Sequence, residues 1–223
     1  HDHLDDYVVG HDCLAEAPHS LYRGGTSGGN YVVHLADQQG RRVWDLLCMN
    51  TTGLGMAKAQ EEWLRGLAET TRKEGGAEGK RDKAPPAFAV FHIPVRQYLD
   101  IWERENATGV KCETVAYESE DGSGLDAIKK LGRVQACICG HDHINDYSGM
   151  CDGIELIYGR ATGTAGYGRI FIPKGGKLYT VNAEAGSYEW ISLLPDGSTW
   201  RPSEGMRVKR RRNTPWAKEV GAA

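Results

Sequence analysis

The residues best suited to chemistry lie in the run Cys137-Ile138-Cys139-Gly140-His141-Asp142-His143-Ile144-Asn145-Asp146. It reads as a buried strand that stops at a glycine and then presents two histidines. Val134, Ala136 and Ile138 would point one way, with Gln135, Cys137 and Cys139 alternating between them. Gly140 allows the backbone to turn at the strand end without a Cβ penalty. Two residues apart in extended backbone, the imidazoles of His141 and His143 would leave on one side. Such a pair can hold one metal, or give one ligand to each of two adjacent metals. The plainer alternative is a polar loop with two surface histidines. Asp142, Asn145 and Asp146 are candidates to fix the tautomer and orientation of the rings.

A second apolar run, Ala87 to Phe91, ends in His92-Ile93-Pro94, and Pro94 forbids a continuing central ladder. Two buried strands thus end on histidines. Ligands collect at strand ends in αβ sheets, so His92, His141 and His143 are the expected metal ligands.

Gly140-His141-Asp142-His143 resembles the GHxH motif of calcineurin-like metallophosphoesterases, and His92 resembles the single histidine that precedes that motif. The flanking stretches His92-Ile93-Pro94, Gly140 to Gly149, Gly153 to Arg160 and Gly166-Tyr167-Gly168 are similar to the purple-acid-phosphatase-like branch. The likeness runs from about His1 to Phe171 and corresponds to the C-terminal half of such an enzyme. His1-Asp2 resembles the last two letters of the family's GNHD or GNHE motif, without its Gly and Asn.

The resemblance implies an α/β fold of metallophosphoesterase type, a two-sheet β-sandwich flanked by helices, of which this chain carries the C-terminal half. It implies phosphomonoester hydrolysis at a binuclear centre of two divalent ions, or Fe(III) with a divalent ion, drawn from Zn, Fe or Mn. His92 and His141 would bind one metal and His143 the other; His1 would donate a proton to the leaving group and Asp2 would orient it. The family's Asp-x-His and GDxxD motifs, which carry the bridging aspartate, are not in this sequence. The partners implied are therefore a phosphorylated substrate and an N-terminal half or companion chain, which would also cover an otherwise exposed sheet face. The alternative is a non-catalytic, phosphatase-like structural subunit of a larger assembly.

The bulk properties fit a globular chain. Its 223 residues suffice for one core, with 40% hydrophobic and 26% charged residues. A net charge of −3 argues against nucleic acid as the main partner, and no apolar run approaches a membrane span. Six cysteines in irregular spacing are no disulfide scaffold; Cys137 and Cys139 read as buried thiols. Asn50-Thr51-Thr52 and Asn106-Ala107-Thr108 are formal glycosylation acceptors, the second in an expected surface loop. The sequence opens on His rather than Met, so the chain is processed, cut or partial; no targeting segment is read and the compartment is left open.

The elements that would position the site follow in order. Residues 1–200 are expected to form the phosphoesterase part and 201–223 a basic, solvated tail. A glycine-rich turn at Gly24–Gly29 precedes strands over Asn30–Leu35 and Val43–Met49, joined by a hairpin turn at Gln38-Gln39-Gly40. Trp63, Leu64 and Leu67 lie on one face of a helix over Gln60–Thr71, followed by a charged, mobile stretch to Lys83. Helices are expected over Gln97–Glu105 and Leu125–Leu131. Strands are expected over Ile154–Tyr158, Ile170–Ile172, Leu178–Val181 and Tyr188–Leu193, with turns at Lys174–Lys177 and Pro195-Asp196-Gly197.

Overall fold

The computed structural model describes residues 30–51, 54–75, 84–163, 166–168 and 172–209. His1, Asp2, the glycine-rich turn, most of the expected strand over Ile170–Ile172 and the end of the basic tail lie outside them. The described chain is a mixed α/β structure with a multi-stranded sheet and few helices. It divides into two compact units. One takes in the described residues up to Val95 together with Tyr117–Cys137, the other Arg96–Ala116 and the chain from Ile138 onward.

In the first unit, β1 (Tyr31–Ala36) and β2 (Arg42–Met49) form a hairpin. Asp37 shapes its turn by accepting from the backbone N–H groups of Gln39 and Arg41, at 3.0 and 2.9 Å. The crossover helix α1 (Lys58–Gly75) then returns the chain so that β3 (Ala87–Phe91) pairs parallel to β2, Asp45 opposite Ala87. Among the described side chains of α1, Gln60 and Leu64 are buried, with Trp63 and Leu67 half-buried beside them. The helix runs on to Gly75, past the expected end at Thr71, because Arg72, Lys73 and Glu74 are good helix formers and no Pro or Gly stops it earlier. A second helix, α2 (Gln97–Glu103), belongs to the other unit; α3 (Ser123–Lys129) packs on α1, and the Ser123 hydroxyl donates to Glu61 at 2.7 Å. Trp44 and Phe88 meet with ring centroids 4.9 Å apart in the core. The Asp45 carboxylate is fully buried. His34 Nδ1 lies 2.8 Å and Arg133 2.5 Å from it, and Arg42 is paired with it as well.

In the second unit the hydrogen-bonded strand order is β7 (Ile154–Tyr158), β6 (Asn145–Cys151), β4 (Ala107–Lys111) and β11 (Arg207–Lys209). The β6–β7 hairpin closes on Asp152-Gly153, both with positive φ (50° and 85°), which the mirror-image two-residue turn requires. Aromatic rings build the core: Tyr147 meets Trp102 at 4.9 Å and Tyr158 at 4.8 Å, and Tyr98 meets Tyr158 at 5.0 Å. The Tyr147 hydroxyl donates to the Tyr98 carbonyl at 2.8 Å. A separate antiparallel sheet consists of β8 (Gly176–Asn182), β9 (Ser187–Leu193) and β10 (Thr199–Trp200) in the order β10-β9-β8. Its inner residues Trp190 and Ser192 are buried. Lys177 of β8 reaches Asp146 of β6 at 2.7 Å, and Tyr188 of β9 donates to Glu155 of β7 at 2.6 Å.

The basic stretch after Pro202 is not simply a solvated end. Arg207–Lys209 pairs parallel to β4, with Arg207 opposite Gly109. The Arg207 guanidinium sits 4.6 Å over the Trp102 ring and donates to the Trp102 carbonyl at 2.6 Å. The Arg207 side chain thus covers the Trp102 ring while Lys209 stays exposed at the sheet edge, where a charged residue discourages further pairing. Among the described residues no helix is long and apolar enough to cross a membrane.

Candidate functional site

The last strand before the motif is β5 (Val134–Cys139), which begins in the first unit and ends, at Ile138 and Cys139, in the second. Cys137 and Cys139 are buried thiols outside any disulfide, as their alternation in the strand implies. Gly140 follows, and then His141 turns the chain in left-handed backbone with φ 70°. That conformation is uncommon outside glycine, and His is among the residues that tolerate it. It also departs from the extended backbone expected between His141 and His143. The next side chain, Asp142, is buried, and both histidines are half-exposed.

Asp142 anchors the loop. Its carboxylate accepts from the Tyr158 hydroxyl at 2.6 Å and from the Ala116 backbone N–H at 3.2 and 3.3 Å. Burial pushes its pKa above the usual carboxylate range, against the pull of those two bonds. Burial, with the charge of nearby groups, likewise holds the Tyr158 hydroxyl protonated far beyond its ordinary pKa. Tyr158 is therefore a fixed donor to Asp142 across the working pH range.

His143 is held by a different segment. Its Nδ1 lies 3.3 Å from the backbone carbonyl of Tyr167. A carbonyl can only accept, so this bond places the proton on Nδ1 and leaves the Nε2 lone pair for a ligand. The imidazole also stacks on the Tyr167 ring, centroids 4.3 Å apart and planes within 15°. The Tyr167 hydroxyl donates to Glu113 at 3.0 Å, and Glu113 accepts from the Ile144 N–H at 2.7 Å. Partial burial, followed by the Glu113 carboxylate, raises the Tyr167 hydroxyl to about 12.

The three side chains expected to orient the histidines are engaged elsewhere. Asp142 bonds Tyr158 and Ala116. Asn145 accepts from the Cys112 and Glu113 N–H groups at 3.0 and 3.1 Å, and its buried amide nitrogen has no hydrogen-bond partner. Asp146 pairs with Arg160 and Lys177. The orienting partner of His143 is instead a backbone carbonyl from a later loop, whose only sequence signal was Gly166-Tyr167-Gly168.

The structure thus brings His141 and His143 onto one loop. His92 is exposed, in the first unit, at the bend that ends β3; there the Ile93 N–H donates to the Thr51 hydroxyl at 2.8 Å. His1 and Asp2 lie outside the described residues. Among the described residues no group of three or more His, Cys, Asp or Glu side chains is gathered as a metal would require. The tautomer of His143 fits a metal ligand, so the loop suits part of a donor set rather than a complete one.

No family model matches the chain. Over 114 residues it is 32% identical to probable inactive purple acid phosphatase 28 of Arabidopsis thaliana, covering 49% of this chain and 27% of that protein. It is 28% identical over 112 residues to probable inactive purple acid phosphatase 29 of the same plant, covering 50% and 29%. With probable inactive purple acid phosphatase 14 it shares 25% identity over 148 residues, covering 64% and 36%. The matches thus span about a quarter to a third of the length of these relatives. Together with the motifs around His92 and Gly140–Gly149, they mean that this chain carries a purple-acid-phosphatase-like region over about half its length.

Proposed function

We propose that this chain carries the second half of a metal-dependent phosphoesterase centre that hydrolyses phosphomonoesters. The observation that carries the reading is His143, whose Nδ1 proton is committed to the Tyr167 carbonyl so that Nε2 can meet a cation. In this reading His92 and His141 hold one ion and His143 the other, the ions being divalent or Fe(III) with a divalent partner, from Zn, Fe or Mn. When bound, two such ions polarise the phosphoryl oxygens and supply a nucleophilic hydroxide near neutral pH. Asp142 fixes the turn between the two imidazoles. His1 donates a proton to the leaving oxygen, and Asp2 orients His1. The bridging carboxylates come from an N-terminal half, in the same or a companion chain, which completes a two-sheet sandwich of metallophosphoesterase type.

A second reading is supported by the names of the relatives, which call those proteins probably inactive. Here the fold serves as a non-catalytic scaffold. One experiment separates the two: metal content by elemental analysis beside hydrolysis of a generic aryl phosphate, with and without the N-terminal half. The catalytic reading expects metal-dependent turnover from the complete protein and a loss of several orders of magnitude in His141→Ala. A metal-free, inactive complete protein supports the scaffold. Robust turnover by this chain alone would show the catalytic ligands to be misassigned.

A further inference from the structure

We infer that Tyr167 is a positioning residue for His143: its stacked ring and its backbone carbonyl together hold the imidazole in the Nδ1–H tautomer, with Nε2 presented to a cation. The purpose of this arrangement rests on the metal-binding reading above; the arrangement itself rests on geometry. Tyr167 is 51% exposed, so burial does not explain its position. Four contacts do. Its ring stacks on the imidazole, its carbonyl accepts from Nδ1, its hydroxyl donates to Glu113, and that same hydroxyl accepts from the His143 backbone N–H at 3.5 Å. Glu113 closes the circle by accepting from the Ile144 N–H, so the ring of Tyr167 is tied to the backbone on both sides of the His143 carbonyl. The Lys174 ammonium also donates to the Tyr167 carbonyl at 2.7 Å.

The neighbouring glycines permit this approach. A Cβ at Gly166 would stand 3.3 Å from His143 Cε1, and one at Gly168 would stand 3.3 Å from Ile144 Cγ2. Both residues have positive φ, 76° and 110°. A backbone carbonyl offers no side chain to mutate, but its place depends on the ring that seats the loop. Removing the ring therefore releases the carbonyl, and the imidazole returns to the Nε2–H form that an unheld histidine side chain favours.

The test is nuclear magnetic resonance of the full chain with labelled histidine, the His143 signals being identified by their loss in His143→Ala. The Nδ1–H form is expected to dominate in the parent and in Tyr167→Phe, which keeps ring and carbonyl. Tyr167→Ala is expected to shift His143 to the Nε2–H form, and Tyr167→Leu, which keeps bulk without the stack, gives the same reading should the alanine variant fail to fold. Zinc titration of the same proteins is expected to show about 10–100-fold weaker binding in Tyr167→Ala than in Tyr167→Phe. If the chain binds zinc neither alone nor together with the N-terminal half, the metal reading fails while the tautomer result still decides this inference. A Tyr167→Ala chain that keeps the Nδ1–H form, or a Tyr167→Phe chain that loses it as fully as the alanine variant, overturns it.

Discussion

Replacing Asp146 with Asn should be among the most damaging single changes in the second unit. Asp146 is fully buried on β6 and faces two cations that are themselves buried: Arg160, 1% exposed at its side chain, and Lys177, 2% exposed and 2.7 Å away. Glu155, another carboxylate near Lys177, is engaged by the Tyr188 hydroxyl and the Trp190 indole N–H. Asp146→Asn thus removes the carboxylate paired with both buried cations and leaves the single charge of Glu155 near Lys177. Breaking a buried pair in this way costs about 3–5 kcal/mol. For a chain of this size that corresponds to a fall in Tm of roughly 6–20 °C. Lys177→Met should behave differently, since one cation and one carboxylate remain balanced. Burial already pulls the Lys177 ammonium below its ordinary pKa, and the methionine would rest on Trp190, whose ring lies 3.8 Å from the lysine head. Its expected cost is well below that of Asp146→Asn, because the Arg160–Asp146 pair survives it. Urea unfolding followed by circular dichroism measures both. Equal losses in the two variants, or a loss under about 1 kcal/mol in Asp146→Asn, would refute the charge argument.

Two further outcomes follow from other buried groups. Burial alone would raise the Asp45 pKa, but the bonds from Arg42 and His34 and the charge of Arg133 hold it below the ordinary value, so its contribution to stability is present above the unfolded carboxylate pKa near 3.9 and is lost as pH falls through the lower folded one; acid unfolding of Asp45→Asn beside the parent should show the difference shrinking below about pH 4. Tyr158→Phe should cost about 1–3 kcal/mol in urea unfolding, because the buried Asp142 loses its hydroxyl donor, and a neutral result would show that the Ala116 N–H alone secures the loop.

The parts of the fold legible in the sequence are those whose reasons are local. β1, β2, β3, β7, β8 and β9 announce themselves by apolar alternation bounded by turn residues, and Leu64 on α1 by helical spacing. β6 does not, because Asn145-Asp146-Tyr147-Ser148 reads as a polar loop. Its burial depends on Arg160 and Lys177 arriving from later in the chain. β4 is short and carries a glycine at φ 130°, where a Cβ would lie 2.4 Å from the Asp146 carbonyl. Only the close approach of β6, invisible in one dimension, explains it. At the candidate site the HxH spacing showed which imidazoles share a loop. It could not show the left-handed turn at His141 or the Tyr167 carbonyl, since a backbone acceptor has no residue type to read.

The pairing of β11 with β4 has a consequence for how the second unit is made. During synthesis β4 and β6 are both available well before Arg207–Lys209 leaves the ribosome, so β4 waits with one edge of its backbone unsatisfied. An open strand edge on a partly folded unit is a template for another copy of the same nascent chain. The late basic strand then acts as a latch: its parallel hydrogen bonds fill that edge, and its charges discourage a further strand from adding beyond it. Shortening the chain before Arg207 would open this edge and also take Val208 from the cluster of Val110, Ile144 and Trp200 and the Arg207 cover from Trp102, so that the loss would be seen in yield and solubility as well as in the melting temperature.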